Sequence, residues 1–318
     1  MVTKDRIMLQ TFFNSISAVL VVMIIMGMGY FMGYKGWMTA AHKPMMYKLI
    51  IWIAMPALCV NSIQANFTRD MFRGAGAFMA VPILNIALLT IFAALLARII
   101  KLPKKRTGVF VVMCCLSNSI FIGYPMCVEL LGEQCVTYVM WYYIFNTIFF
   151  QTLGVWLIKK DAVGGGSPLD GLKIVLKNPP FIGIMAGIIL LALDIRLPQF
   201  ALSFTKYLGN MVSPLGLIYS GFIMYETGLG NLKPEKGLPL TMIMRFMVSP
   251  ALCMLLCSVF GLSGLARDTF VVEVTMPTMT QVAVQASGLG ADEQYAAKGA
   301  TLTTLCMFAV IPILMMIL

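Results

Sequence analysis

One histidine, no Cys-x-x-Cys pair, no His-Glu-x-x-His and no glycine-rich phosphate loop occur in 318 residues, of which only 11% are charged. Each shortage excludes a class of chemistry. A metal hydrolase needs clustered His, Cys or carboxylate ligands. ATP as a direct energy source needs a phosphate-binding loop, and nucleophilic catalysis needs a base beside the nucleophile. Disulfides are not the use of the eight cysteines, because Cys59, Cys114, Cys115, Cys127, Cys253, Cys257 and Cys306 sit inside apolar stretches and Cys135 borders one. They read as small packing residues with inert thiols. Nothing in the chain points to an enzyme, a cofactor or a metal.

Apolar sequence is what the chain has in excess: 60% of its residues are hydrophobic, far above an ordinary soluble domain. A spanning helix needs about 20 mostly apolar residues, and ten such segments are present: Met8–Met32, Met45–Gln64, Gly76–Ile100, Gly108–Leu131, Val136–Ile158, Asn178–Ile195, Leu208–Leu229, Leu240–Leu262, Phe270–Leu289 and Tyr295–Leu318. The sequence thus predicts an all-α integral membrane protein. The first segment is too long, and lacks the cleavage site, to be a removable signal.

The net charge of +10 raises the question of nucleic acid, and the placement of the basic residues answers it. Connections after odd-numbered segments hold 15 Lys and Arg, and the other side holds seven, among them Lys4, Arg69, Arg73 and Lys206. Cytoplasmic loops carry the excess of Lys and Arg. This asymmetry predicts a multi-pass protein of the cytoplasmic membrane with both termini outside, partnered by the bilayer and not by nucleic acid. Lys159 to Pro168 is the one Gly-rich, weakly hydrophobic linker and lies at the midpoint. It divides the chain into a first five-helix unit (1–160), a cytoplasmic linker (161–175) and a second five-helix unit (176–318). Five crossings per unit put the second in the opposite orientation, so internal homology would be an inverted repeat. Pro56 and Pro214 stand 158 positions apart in the second and seventh segments.

The fourth and ninth segments carry helix breakers and polar groups where lipid forbids them: Asn118-Ser119-Ile120-Phe121-Ile122-Gly123-Tyr124-Pro125 and Glu273-Val274-Thr275-Met276-Pro277-Thr278-Met279-Thr280-Gln281, with Pro125 and Pro277 152 positions apart. Proline removes a helical hydrogen bond, and non-helical backbone at membrane depth is tolerated only where it is buried or lines a cavity. Interrupted segments at matching places in two halves point to a transporter's binding site. Two half-helix N-termini there would attract an anion. Asn118, Ser119, Thr275, Thr278 and Gln281 would add hydrogen-bonding side chains. Glu273 is the one acid deep in a segment and by default marks an ion pathway or proton relay, a salt bridge or a place near the helix end being the alternatives. Arg245 is a candidate partner for Glu273 or for a substrate carboxylate, or else snorkels to the interface. Glu226 reads as interfacial, His42 as solvated, and Asn61 and Asn146 as interhelical hydrogen-bonding residues.

Two short protease-like patterns fail on context. Gly261-Leu262-Ser263-Gly264 matches the G-x-S-G of intramembrane serine proteases but has no later histidine. Gly288-Leu289-Gly290-Ala291-Asp292 has one residue too many for the G-x-G-D of membrane aspartyl proteases and no second membrane aspartate. A channel would show a continuous polar pore, whereas polarity here concentrates at two breaks.

These residues carry a family resemblance. Gly29-Tyr30, Met55-Pro56-Ala57, Asn118 to Pro125, Asn178-Pro179-Pro180, Met276-Pro277 and Gly288 to Asp292 together resemble the auxin efflux carrier family, with plant PIN-type carriers and bacterial organic-acid permeases, over nearly the whole chain. The short midpoint linker is similar to that of the bacterial members. The resemblance implies two inverted five-helix repeats, with helices one, two, six and seven as scaffold and the remainder as a mobile transport domain moving like an elevator. It maps the family's crossover prolines onto Pro125 and Pro277 and its helix-four asparagine onto Asn118, places Gly123 in the same run, and implies an organic anion as substrate and homodimerisation through the scaffold. The expected function is secondary transport of a small carboxylate such as malate or malonate, with Asn118, Ser119, Gly123, Pro125, Arg245, Thr275, Pro277, Thr278 and Gln281 as substrate residues. Glu273 is the expected coupling residue, a proton or the membrane potential being ordered ahead of sodium. The alternatives are a sodium-coupled symporter and a sensor on the same fold that binds without translocating.

Overall fold

The computed structural model describes residues 2–66, 75–165, 167, 169, 172–228, 230, 232 and 235–318. Arg69, Arg73 and Lys233 of the charge asymmetry, and Gly166, Pro168, Asp170 and Gly171 of the linker, lie outside them. Among the described residues the regular structure is helical apart from one isolated β-bridge. In chain order the helices are α1 (Val2–Tyr34), α2 (Lys43–Lys48), α3 (Met55–Asn66), α4 (Ala75–Ile99), α5 (Lys104–Cys115), α6 (Tyr124–Leu131), α7 (Val136–Phe149), α8 (Val155–Ala162), α9 (Leu172–Leu176), α10 (Pro179–Ala192), α11 (Gln199–Gly209), α12 (Val212–Thr227), α13 (Leu238–Ile243), α14 (Ser249–Val259), α15 (Gly264–Thr275), α16 (Gln281–Gly288) and α17 (Glu293–Ile317). π turns at Leu49–Ala54, Phe150–Gly154 and Met244–Val248 join α2 to α3, α7 to α8 and α13 to α14 without ending the rod.

A helix or broken helix occupies each of the ten apolar segments. Among the described residues five helices are by length and apolarity sufficient to cross a membrane: Phe13–Tyr34, Ala40–Ala65, Gly76–Ile99, Leu238–Val259 and Glu293–Ile317. The fourth and ninth segments fall short because each is cut in two, as their polar centres dictate. One element was not foreseen. The eleven residues of α11 form a separate helix with Phe200, Phe204 and Tyr207 exposed on one side, and on the other Asn61 donates to the Leu202 carbonyl at 3.1 Å and to Thr205 Oγ1 at 3.3 Å.

α1 lies against α12 and α17, and α3 against α10 and α11; α4, α5, α8 and α13 to α16 gather around the two broken helices, and α6, α7 and α17 bridge from these to the first helices. Small residues set the closest approach: a Cβ at Gly29 would fall on the carbonyl of Ile218, and one at Gly221 on that of Met26. Where lipid is as apolar as leucine, such close backbone contact is a main source of helix association. All eight cysteines are free thiols, seven of them buried, in agreement with their reading as packing residues.

Matched elements recur at a nearly constant spacing. α5 and α15 are both 12 residues long and begin 160 positions apart; α6 and α16 are both 8 long and begin 157 apart. The 152-position spacing of Pro125 and Pro277 is therefore not the register of the halves. Pro277 lies in the extended break itself, whereas Pro125 lies in the first turn of α6, beyond the break. The physical reason is that proline is tolerated in a helix's first turn, where its missing N–H has no partner to lose.

Candidate functional site

α5 ends at Cys115 and the chain turns extended at Leu116 (φ −112°, ψ 131°); α15 ends at Thr275 and turns extended at Met276 (φ −62°, ψ 154°). The two extended stretches meet antiparallel at Ser117 and Thr278, and the Asn118 N–H donates to the Pro277 carbonyl at 2.9 Å. A break inside a packed core exposes backbone groups that must be satisfied, and three neighbouring helices supply the partners. From α7, Asn146 accepts from the Ser117 N–H at 3.1 Å and donates to the Ser117 carbonyl at 2.8 Å and to Ser119 Oγ at 3.2 Å. From α17, Thr303 Oγ1 accepts from the Thr278 N–H at 3.1 Å. From the π turn at Met244–Val248, Arg245 donates through Nε to the Met276 carbonyl at 3.0 Å and through Nη2 to Ser117 Oγ at 2.6 Å, to the Val274 carbonyl at 3.0 Å and to the Met276 carbonyl. Arg245 thus closes the negative C-terminal end of α15, where a cation is favoured.

Beyond the breaks the chain re-enters helix, through a π turn at Ser119–Gly123 in the first case and directly at α16 in the second. The earliest helical bonds are those of Ile122 and Gly123 to the Asn118 carbonyl, and of Val282 and Ala283 to Met279 and Thr280. The preceding N–H groups have no intrahelical acceptor. Asn118 to Phe121, Met279 and Gln281 line a cavity of about 30 Å³, closed on other sides by Tyr47, Ile51, Tyr143, Gln151 and Asn178. Asn118 is 4% exposed and its Nδ2 has no hydrogen-bond partner, a buried donor worth about 1–3 kcal/mol if satisfied. The cavity holds roughly one water, but Tyr47, Gln151 and Gln281 also line a cleft of about 550 Å³ that reaches Lys43 and Glu293.

Of the residues expected at the site, Asn118, Ser119 and Gln281 line the cavity. Pro277, Thr278 and Thr275 shape the second break: Pro277 through its carbonyl, Thr278 through its N–H, and Thr275 by donating its hydroxyl to the Val271 carbonyl at 2.6 Å. Gly123 packs on the Glu273 carboxyl, which a Cβ there would meet at 2.8 Å. Pro125 is in the first turn of α6, and Arg245 lies at the end of α15; neither lines the cavity. Glu273 is fully buried; Cys127 Sγ donates to its Oε1 at 3.6 Å, and Oε2 has no partner. Among the described residues no ion pair involves Glu273 or Arg245, whereas Glu226 pairs with Lys43 at 2.7 Å. Asn146 is an interhelical hydrogen-bonding residue as expected, yet its particular partner, the crossover backbone, was not foreseen. Tyr47, Tyr143, Gln151 and Thr303 were missed, since single polar or aromatic residues in apolar helices carry no periodic signal.

Comparison with known proteins adds the family. The profile of a family described as membrane transport protein matches residues 14–165 and 171–315. The chain is 27% identical over 301 residues to an uncharacterized transporter of Methanocaldococcus jannaschii, covering 90% of this chain and 93% of that protein. It is 24% identical over 278 residues to an uncharacterized transporter of Methanothermobacter thermautotrophicus, covering 86% and 89%.

Proposed function

Because this chain belongs to the membrane transport protein family, the group of the auxin efflux carriers, we propose that it is a secondary transporter moving a small organic anion, a carboxylate of the size of malate or malonate, across the cytoplasmic membrane. The observation that carries this reading is the cavity at two converging half-helix N-termini with the unpartnered amide of Asn118 in its wall. Unpaired N–H groups and the positive ends of helix dipoles favour a negatively charged ligand.

Packing supports part of the rest of the reading. Ten crossings form two inverted repeats, a division favoured by the equal lengths and constant spacing of α5 with α15 and α6 with α16. The scaffold consists of α1 to α3 and α10 to α12, pairs through itself as a homodimer, and supplies Tyr47, Ile51 and Asn178 to one wall of the cavity. The transport domain carries the crossover past that wall in an elevator motion. The cleft ends at Lys43 and Glu293, in connections that the Lys/Arg excess assigns to the cytoplasm, so this conformation faces inward. Glu273, buried without a cation, is the coupling site and binds a proton during the cycle.

The test is uptake of labelled malate, malonate, lactate or pyruvate into proteoliposomes, with sodium or choline outside and with or without a pH gradient. Accumulation of one acid driven by the pH gradient supports the reading. A sodium requirement would replace the proton by sodium, and binding without uptake would identify a sensor.

A further inference from the structure

Arg245 and Glu273 are the charged side chains found buried among the described residues, each 0% exposed. They flank one short stretch of backbone: Arg245 bonds the carbonyls of Val274 and Met276, and Glu273 precedes Val274. All the acceptors of Arg245 are neutral, namely two carbonyls and the Ser117 hydroxyl. A guanidinium keeps its proton in proteins, so a positive charge with no carboxylate in ion-pair contact lies behind the residue that precedes Asn118. The groups that face Glu273 are Cys127 on α6, Cys135, the backbone of Gly123 and, through space, Arg245 and Tyr142. None of them is a second acid.

Resting on the carboxylate reading above, we propose that this pair fixes the coupling: the crossover holds one net negative charge against Arg245, supplied either by ionised Glu273 or by the bound anion. In the empty carrier Glu273 is the carboxylate, and the buried charges sum to zero. When a monocarboxylate binds at the crossover, Glu273 takes up one proton from solution and becomes a neutral acid, so the sum is again zero. Release reverses both steps. A buried unpaired charge costs several kcal/mol, and this cost links the two binding events reciprocally. The carrier then moves one proton with each monocarboxylate and no net charge, while a dicarboxylate crosses with one negative charge in excess.

The experiment uses the full chain in detergent. Lactate, pyruvate, malate and malonate are each titrated in weakly buffered solution, with melting temperature reporting binding and a pH indicator reporting protons. The acid that stabilises the protein is expected to bring about one proton per bound monoanion, and Glu273→Gln is expected to bind the same acid with no proton uptake and no pH dependence. Arg245→Gln should weaken binding at least about tenfold, and Arg245→Lys, which keeps the charge, should retain more of it. Binding by wild type without proton uptake, or uptake unchanged in Glu273→Gln, overturns the inference while leaving the carboxylate reading intact. Failure of every acid to bind overturns the carboxylate reading and the inference with it. Both key outcomes rest on wild type and the near-isosteric Glu273→Gln, so a failure of the Arg245 variants to fold does not remove the test.

Discussion

Asn146 holds the first break with three hydrogen bonds, to the Ser117 N–H, the Ser117 carbonyl and Ser119 Oγ, and is itself fully buried. Replacing it by leucine strands two backbone groups and is expected to lower stability by about 1–3 kcal/mol, read as a lower melting temperature with or without anion. Asn118 should behave in the opposite way. Its Nδ2 has no partner within the protein, so Asn118→Ala is expected to leave the melting temperature without anion nearly unchanged and to weaken carboxylate binding by about 1–2 kcal/mol, measured by titration. The contrast separates a residue that builds the site from one that serves it. Asn118 was legible in the sequence because it adjoins a run of breakers. The task of Arg245 was not, since its acceptors are backbone carbonyls 29 and 31 positions away and carbonyls have no sequence signature.

At the scale of elements, the sequence revealed that two segments are interrupted but misplaced the interruption in one of them. Proline restricts where a helix can begin, and Pro125 does begin one; the chain leaves helix earlier, at Leu116, where no breaker stands. What ends α5 there is tertiary: the extended strand is paid for by Pro277, Asn146 and Tyr142, the last hydrogen-bonded to Ser117 Oγ at 2.9 Å. The α1–α12 contact gives an internal control on packing. Gly27, Gly29 and Gly221 all lie in this pair of helices, yet a Cβ at Gly27 meets nothing within 4 Å while those at Gly29 and Gly221 fall on backbone of the facing helix. Gly29→Leu and Gly221→Leu are each expected to cost about 1–3 kcal/mol or more by overpacking, with Gly27→Leu near neutral, as judged by melting temperature in detergent.

For the whole molecule, the proposed division into a scaffold and a moving domain makes a mechanical prediction. Tyr47 follows the first connection and Gln281 opens α16, and both line the same cavity. In the Tyr47→Cys, Gln281→Cys double variant, a short bifunctional thiol reagent is expected to abolish the uptake that the same variant shows before the reagent is added; native thiols interfere little because seven of eight are buried. Continued uptake after complete cross-linking would rule out relative motion of these two walls. The all-helical character and the apolar segmentation were legible in the sequence because the bilayer imposes a length on every helix. Which helices meet was not, because it rests on which small residues face each other, and glycines occur throughout.

The two half-helix N-termini beyond the crossover present backbone N–H groups, which every residue but proline supplies alike. In the proposed site, charge is then recognised partly by main chain that no substitution alters, with the Asn118 amide as its side-chain donor. Selection among anions by shape then falls to the opposite wall, where Tyr47, Ile51 and Asn178 belong to the proposed scaffold. In the proposed carrier, changing the stationary wall is the route to a new substrate, and the moving part is left to serve any cargo of the right charge.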